Sequence, residues 1–87
     1  MTMVETPRRA YDVRTDVATG ATLLVRGLDA FELDEVSAQI WTLCDGAHTV
    51  DQIAGEIVAR YEVDGSQAEQ DVRDFLADLD RAGLLDK

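Results

Sequence analysis

Few side chains in this sequence have the means for covalent or metal chemistry: one histidine, His48, and one cysteine, Cys44, in 87 residues. A metal centre or a catalytic dyad needs several such groups converging, and one imidazole supplies only one. His48 stands just before a helix start, which reads as a surface position. Cys44 falls on the apolar face of a helix, where an unpaired cysteine behaves as a small hydrophobe. There is no CxxC, no glycine-rich phosphate loop and no nucleophile motif. The 18 Asp and Glu residues make no site by abundance, because acid–base work needs two carboxyls whose surroundings drive their pKa values apart. Asp71, Asp74, Asp78 and Asp80 fall on helix positions that the apolar pattern leaves in water. The residues point to binding rather than catalysis, with no cofactor and no metal.

The elements that carry these residues follow from periodicity. Tyr11 and Val13 alternate with Asp12 and Arg14, which predicts a half-buried strand, and Asp16 to Gly20 is turn chemistry. Thr22 to Val25 is a second strand, Gly27-Leu28-Asp29 a hairpin loop, and Phe31-Glu32-Leu33 a third strand. Asp34 then suits a helix N-cap, with Glu35 in the first turn. Val36, Ile40, Leu43 and Cys44 share one face of that helix, Trp41 lies beside them, and Gly46 is the natural stop. Thr49-x-x-Gln52 predicts a capping box. Val50, Ile53, Ala54, Ile57, Val58 and Tyr61 complete the apolar series of a second helix. A third begins at another capping-box pattern, Ser66-x-x-Glu69. It shows Val72, Phe75, Leu76 and Leu79 on one face, with Ala68 and Ala82 at its margins, and ends at Gly83. The order is three strands followed by three helices, an α+β fold with an antiparallel sheet. Residues 1–10 are expected to be a flexible N-terminus and 11–87 a single domain.

Composition narrows the partners. Hydrophobic residues at 46% and charged residues at 30% suit a globular chain. No apolar run approaches the roughly 20 residues that span a bilayer, and no signal segment follows the start, so a cytoplasmic protein without membrane contact is expected. One cysteine allows no internal disulfide, which suits a reducing compartment. Residues 1–26 carry four Arg against three acids, +1, while residues 27–87 carry four Arg or Lys against fifteen acids, −11. That surface repels phosphate backbones and attracts basic segments. Nucleic acid is therefore not an expected partner.

On a helical wheel Asp71 and Asp78 lie along the same edge of the third helix's apolar stripe as Phe75. This is core bordered by solvated charge, or one wall of a groove with an acidic rim. The second wall would be the edge of the sheet, since a three-stranded meander leaves edge strands with unpaired N–H and C=O groups. Such an edge accepts a visiting strand, whose alternate side chains then supply selectivity. The third strand, continuing through Leu33 into the helices, is the candidate edge.

Further residues carry a family likeness. Leu33-Asp34, Ile40-Trp41-x-Leu43-x-Asp45-Gly46, Thr49-Val50-x-x-Ile53, Tyr61, Asp71-Val72-x-x-Phe75-Leu76-x-x-Leu79 and Gly83-Leu84-Leu85 together resemble the PqqD-like family. The likeness covers about residues 20–85, with Asp34 where the family commonly has asparagine. It implies a winged-helix-like fold that serves as a recognition element for ribosomally made, post-translationally modified peptides. It also implies that a precursor's leader segment adds as a strand to the third strand and packs on the third helix. Carried onto this sequence, the docking edge is Asp29, Ala30, Phe31, Glu32 and Leu33. The helix wall is Asp71, Val72, Phe75, Asp78, Leu79 and Ala82. The enzyme served would be a radical S-adenosylmethionine enzyme, to which setting the Ile40–Gly46 and Thr49–Ile53 motifs look more similar, or a leader peptidase or cyclase of a lasso-peptide pathway. A monomer or a weak dimer is expected, because an open strand edge can pair with another copy.

Two rival readings come from other classes. A winged-helix DNA-binding or regulatory domain fits the helix lengths but not the −11 balance. An acidic carrier protein needs a serine at a helix start, typically after aspartate, whereas Ser37 follows Val36 and Ser66 follows Gly65.

Overall fold

The computed structural model describes residues 6–18 and 20–86. Its elements run β1 (Arg14–Ala18), β2 (Ala21–Arg26), β3 (Asp29–Leu33), α1 (Glu35–Leu43), α2 (Val50–Tyr61) and α3 (Gly65–Arg81). The strands form one antiparallel sheet in the order β1-β2-β3, so β1 and β3 are both edges. This is the α+β arrangement of three strands then three helices that the periodicity predicts. Among the described residues, no helix is long and apolar enough to cross a membrane.

The first strand differs from the sequence expectation. It starts at Arg14 rather than Tyr11 and runs through Asp16 and Val17, which had been assigned to a turn. Tyr11 is 98% exposed, in a turn closed by the Val13 N–H donating to Ala10 O. Pairing decides the boundary: Asp16 and Val17 have ladder partners in Leu23 and Thr22, and the strand runs on to Ala18, the partner of Ala21. The β2–β3 hairpin has a two-residue loop between Arg26 and Asp29. Gly27 opens its loop at φ +58°, the primed-turn conformation that glycine adopts without strain.

The core is mostly helical. Ile40, Trp41, Ile53, Val72 and Leu76 are among its buried members, and among the described residues of the sheet Leu24 is the buried one. Trp41 also ties the layers together, its Nε1–H donating to Thr15 Oγ1 at 3.0 Å. Caps fix where the helices begin. Asp34 Oδ1 accepts from the Ser37 N–H at 2.8 Å, and both hydrogen bonds of the Thr49–Gln52 capping box form. The start of α3 is a correction: the cap is Asp64, whose carboxylate accepts from the Ser66 and Gln67 N–H groups. Ser66 thereby falls inside the first turn and cannot cap. At the other end, Gly83 at φ +74° lets its own N–H reach Asp80 O and the Leu84 N–H reach Leu79 O. This is a Schellman closure, with Leu84 and Leu79 both buried beneath it.

Of the N-terminal segment, residues 1–5 lie outside the described residues. Residues 7–10 are stitched to two other parts of the chain. The Arg9 N–H donates to Cys44 O, the Gly46 N–H to Pro7 O, the Ala10 N–H to Leu84 O and the Asp86 N–H to Arg8 O. Arg9 Nη1 also donates to Trp41 O and Thr42 O at 3.0 and 2.7 Å. A guanidinium thus satisfies carbonyls at the end of α1, which has no basic residue in its own last turn.

Candidate functional site

The groups suited to chemistry are held apart or closed off. Cys44 is buried, its Sγ–H directed at Ile40 O, and burial pushes its thiol up to about 12. A thiol so held is not a nucleophile near neutral pH. His48 Nδ1 lies 2.9 Å from Asp45 Oδ1. That bond, with the Ala47 N–H next, holds the Asp45 carboxyl at about 2. The pair stabilises the turn before α2. Among the described residues, no three His, Cys, Asp or Glu side chains gather to hold a metal ion.

The outer edge of β3 is the open feature. Among the described residues no strand pairs with it. The two-residue loop makes Arg26 and Asp29 a hydrogen-bonded pair, and antiparallel alternation then sets Phe31 and Leu33 toward β2 in the same way. The N–H and C=O of Ala30 and Glu32 point outward. Side chains alternate too: Phe31, opposite the buried Leu24, faces the helices, whereas Ala30 and Glu32 lie on the other face.

The two ends of β3 approach different helices. At its start, Asp29 is the ladder partner of Arg26. Arg26 Nη1 lies 3.4 Å from where a Cβ on Gly83 would stand, just past the end of α3. At its finish, Leu33 shares an open depression of about 510 Å³ with Arg60 and Tyr61, at the end of α2. α3 therefore runs back in the sense opposite to β3. β3 packs chiefly on β2 and α1, and α3 on α2, which leaves Phe31 39% exposed and Phe75 half-buried at the margin of the core.

The residues expected from sequence take different places. Asp29, Ala30, Phe31 and Glu32 are exposed and Leu33 is half-buried; Asp71, Asp78 and Ala82 are exposed. Val72 and Leu79 are 0% and 3% exposed. These two lie in the core and present little or no surface of their own, because a helical wheel gives angle but not depth. The acidic rim is uneven. Asp78 is paired with Arg81, whereas Asp71 accepts from the neutral Gln67 amide at 2.8 Å. The depression beyond Leu33, which takes in Thr22, Gln39, Thr42 and Arg60, was not foreseen. Those residues belong to three separate elements, β2, α1 and α2, and share no local pattern that could have announced them.

Three solved structures share the fold. TbiB1, in complex with the TbiA(beta) leader peptide, is 30% identical, with a TM-score of 0.79 over 91% of this chain and 94% of that one. The PqqD truncation of Methylobacterium extorquens PqqCD, described as a stand-alone recognition element for ribosomally synthesised and post-translationally modified peptides, is 29% identical. Its TM-score is 0.79 over 93% of this chain and 88% of that one. A lasso peptide synthetase B1 complexed with its leader peptide has a TM-score of 0.83 at 19% identity, over 94% and 99% of the two chains, and bears on the fold alone. No curated protein sequence matches the chain significantly. The family model for coenzyme PQQ synthesis protein D (PqqD) matches residues 20–85, and with that span the chain belongs to the PqqD family.

Proposed function

We propose that this protein is a peptide-recognition element that captures the leader segment of a ribosomally made precursor and presents it to a modifying enzyme. The observation that carries the reading is the open β3 edge with an exposed Phe31 on its helical side. A leader strand would bond the outward backbone groups of Ala30 and Glu32. Its residues nearest Phe31 and Leu33 would turn toward α3, against Phe75 and Ala82. Backbone bonds supply affinity that does not depend on the leader's side chains, and the apolar contacts on one face supply selectivity. The protein does no chemistry in this scheme. Holding the leader raises the effective concentration of the attached core peptide at the enzyme.

The leader complex of TbiB1 supports this role by likeness. The enzyme served is either a radical S-adenosylmethionine enzyme or a leader peptidase or cyclase, and the 30% identity to TbiB1 over nearly the whole chain makes the TbiB1 setting the first to test. The experiment is a titration of isotope-labelled protein with a synthetic leader from the adjacent precursor gene. The expected result is slowed exchange of the Ala30 and Glu32 amides and shifts along β3 and α3. Shifts confined to β1, or none at concentrations near 1 mM, a weak-binding limit of about −4 kcal/mol, would rule the site out.

A further inference from the structure

The sheet has a second open edge. Among the described residues, no strand pairs with the outer side of β1, and the N-terminal segment passes instead beside Asp45 and Leu85. We propose that this edge is a self-association surface, on which a second copy of the chain adds its own β1 antiparallel with Thr15 opposite Thr15. This surface is separate from the β3 edge and does not depend on the peptide reading.

The backbone restricts the register. Ala18 and Ala21 are the last pair of the ladder before the turn, and antiparallel alternation from that pair turns the N–H and C=O of Asp16 and Arg14 toward β2. Those of Thr15 and Val17 turn outward. Two copies can meet only in registers that bring outward groups together, which leaves every second alignment. Centring the two-fold axis on Asp16 sets two carboxylates opposite each other, and centring it on Arg14 sets two guanidiniums together. Centring it on Thr15 places each Arg14 opposite the other copy's Asp16, with Val17 opposite Val13. Opposite charges, paired threonines and paired valines are the favourable cross-strand combinations, and directly opposed like charges are unfavourable.

The local geometry suits this exchange. Arg14 and Asp16 already bond within one strand, at 3.3 Å, with side chains 69% and 43% exposed. In the pair, each would trade that neighbour for its counterpart across the axis. The Val13 N–H is committed to Ala10 O, so Val13 contributes only its carbonyl, accepting from the Val17 N–H. On the helical face Val17 is 74% exposed and Thr15 is exposed, so the helical layer does not overhang this edge. Charge on a larger scale agrees. Residues 1–26 sum to +1 and residues 27–87 to −11, so the contact joins the part of each copy without the acidic excess. The product is a six-stranded sheet with both β3 edges at its outer limits, open for peptide.

An interface of two short edge strands falls in the weak class, below about 1,200 Å² of buried surface. The test is therefore sedimentation equilibrium of the full chain from about 10 μM to 1 mM, the range of weak association. The expected result is a rise from 9.6 kDa toward twice that mass. Asp16→Arg alone and Arg14→Asp alone should each weaken association about tenfold or more, and the double exchange should restore it, since only the pairing of the two signs matters. Both substituted positions carry solvent-accessible side chains, and a circular dichroism spectrum of each of the three variants checks the fold. A monomer across the whole range overturns the proposal. So does a dimer indifferent to the single exchanges, a double exchange that fails to restore it, or a dimer that a β3-binding leader dissociates.

Discussion

Leu24 and Phe31 face each other across the β2–β3 ladder, yet Leu24 is 0% exposed and Phe31 39%. One strand spacing thus marks where the helical cover stops. A fully covered sheet would bury both, and a fully open one neither. Phe31 is an aromatic held on the core side of an edge strand without enough protein above it.

That contrast gives the first prediction. Phe31→Ala should weaken leader binding about tenfold or more, in the range of a buried aromatic anchor, while costing less than about 1 kcal/mol of stability. Leu24→Ala should cost about 2–5 kcal/mol by removing a fully buried sheet side chain from the core. Isothermal titration and urea unfolding of the two variants separate the effects. Equal stability losses would mean that Phe31 is a core residue and not part of a docking edge.

Much of this arrangement is legible in the sequence, and the exceptions share a physical origin. Helix faces such as Val50, Ile53, Ala54 and Ile57 repeat within one element, so a single stretch reveals them. The caps at Asp34 and Thr49 are likewise local. Ser66 has the capping-box spacing, but Asp64 caps α3, because its carboxylate reaches two N–H groups at once. Tyr11 and Val13 alternate as a strand would, but β1 is set by its partners in β2, which no local pattern states. Arg9, reaching carbonyls 32 and 33 residues away, leaves no periodic trace at all. Val72 and Leu79 do show the helical period, but their depth depends on packing against α2.

Burial also revises how the α3 wall can be probed. Leu79→Asp places an unpaired carboxylate in the core at a cost of about 3–5 kcal/mol, against a total stability of roughly 4–13 kcal/mol for a domain of this length. It should unfold the protein or leave it marginal, with loss of near-ultraviolet circular dichroism. Phe75→Ala should remain folded, because its side chain is half-buried, and should still lose leader affinity. A folded Leu79→Asp variant would show that α3 is less tightly packed than its burial indicates.

A separate test concerns the turn before α2. The Asp45 carboxyl is held at about 2 against an ordinary 3.8, first by the His48 hydrogen bond and then by the Ala47 N–H. A depressed carboxyl stabilises the fold above pH 3.8 and loses that contribution as the pH falls toward 2. Asp45→Asn should therefore be less stable than the parent at neutral pH. Its stability should also fall less steeply between pH 4 and pH 2, as followed by acid titration of the circular dichroism signal. An unchanged acid slope would mean the pair is not formed in solution.

Glu62 closes α2 in the left-handed conformation at φ 53°, ψ 41°, where a side chain costs about 1 kcal/mol relative to glycine. Its N–H donates to Val58 O, a bond that glycine would keep. Glu62→Gly should raise stability by about 0.5–1 kcal/mol after allowing for the freer unfolded chain. A lowered melting temperature would show that the Glu62 side chain stabilises the native state by some other contact.

The acidic rim should act on the rate of encounter rather than on the final grip, and unequally along its length. Exposed charges that steer a basic leader raise the association rate and make it fall with salt. Asp78 has Arg81 beside it, so its field is largely cancelled at a distance. Asp71 has a neutral amide partner and keeps its full charge. Asp71→Asn should therefore slow association of a basic leader about two- to threefold at low ionic strength, more than Asp78→Asn does. The dissociation rate should hardly change, and the difference should vanish near 0.5 M salt, where the screening length is only about 4–5 Å. Stopped-flow association at several salt concentrations reads this directly. Equal effects of the two substitutions would mean that the Asp78–Arg81 pair does not persist in solution, and no effect of either would assign the rim to solubility alone.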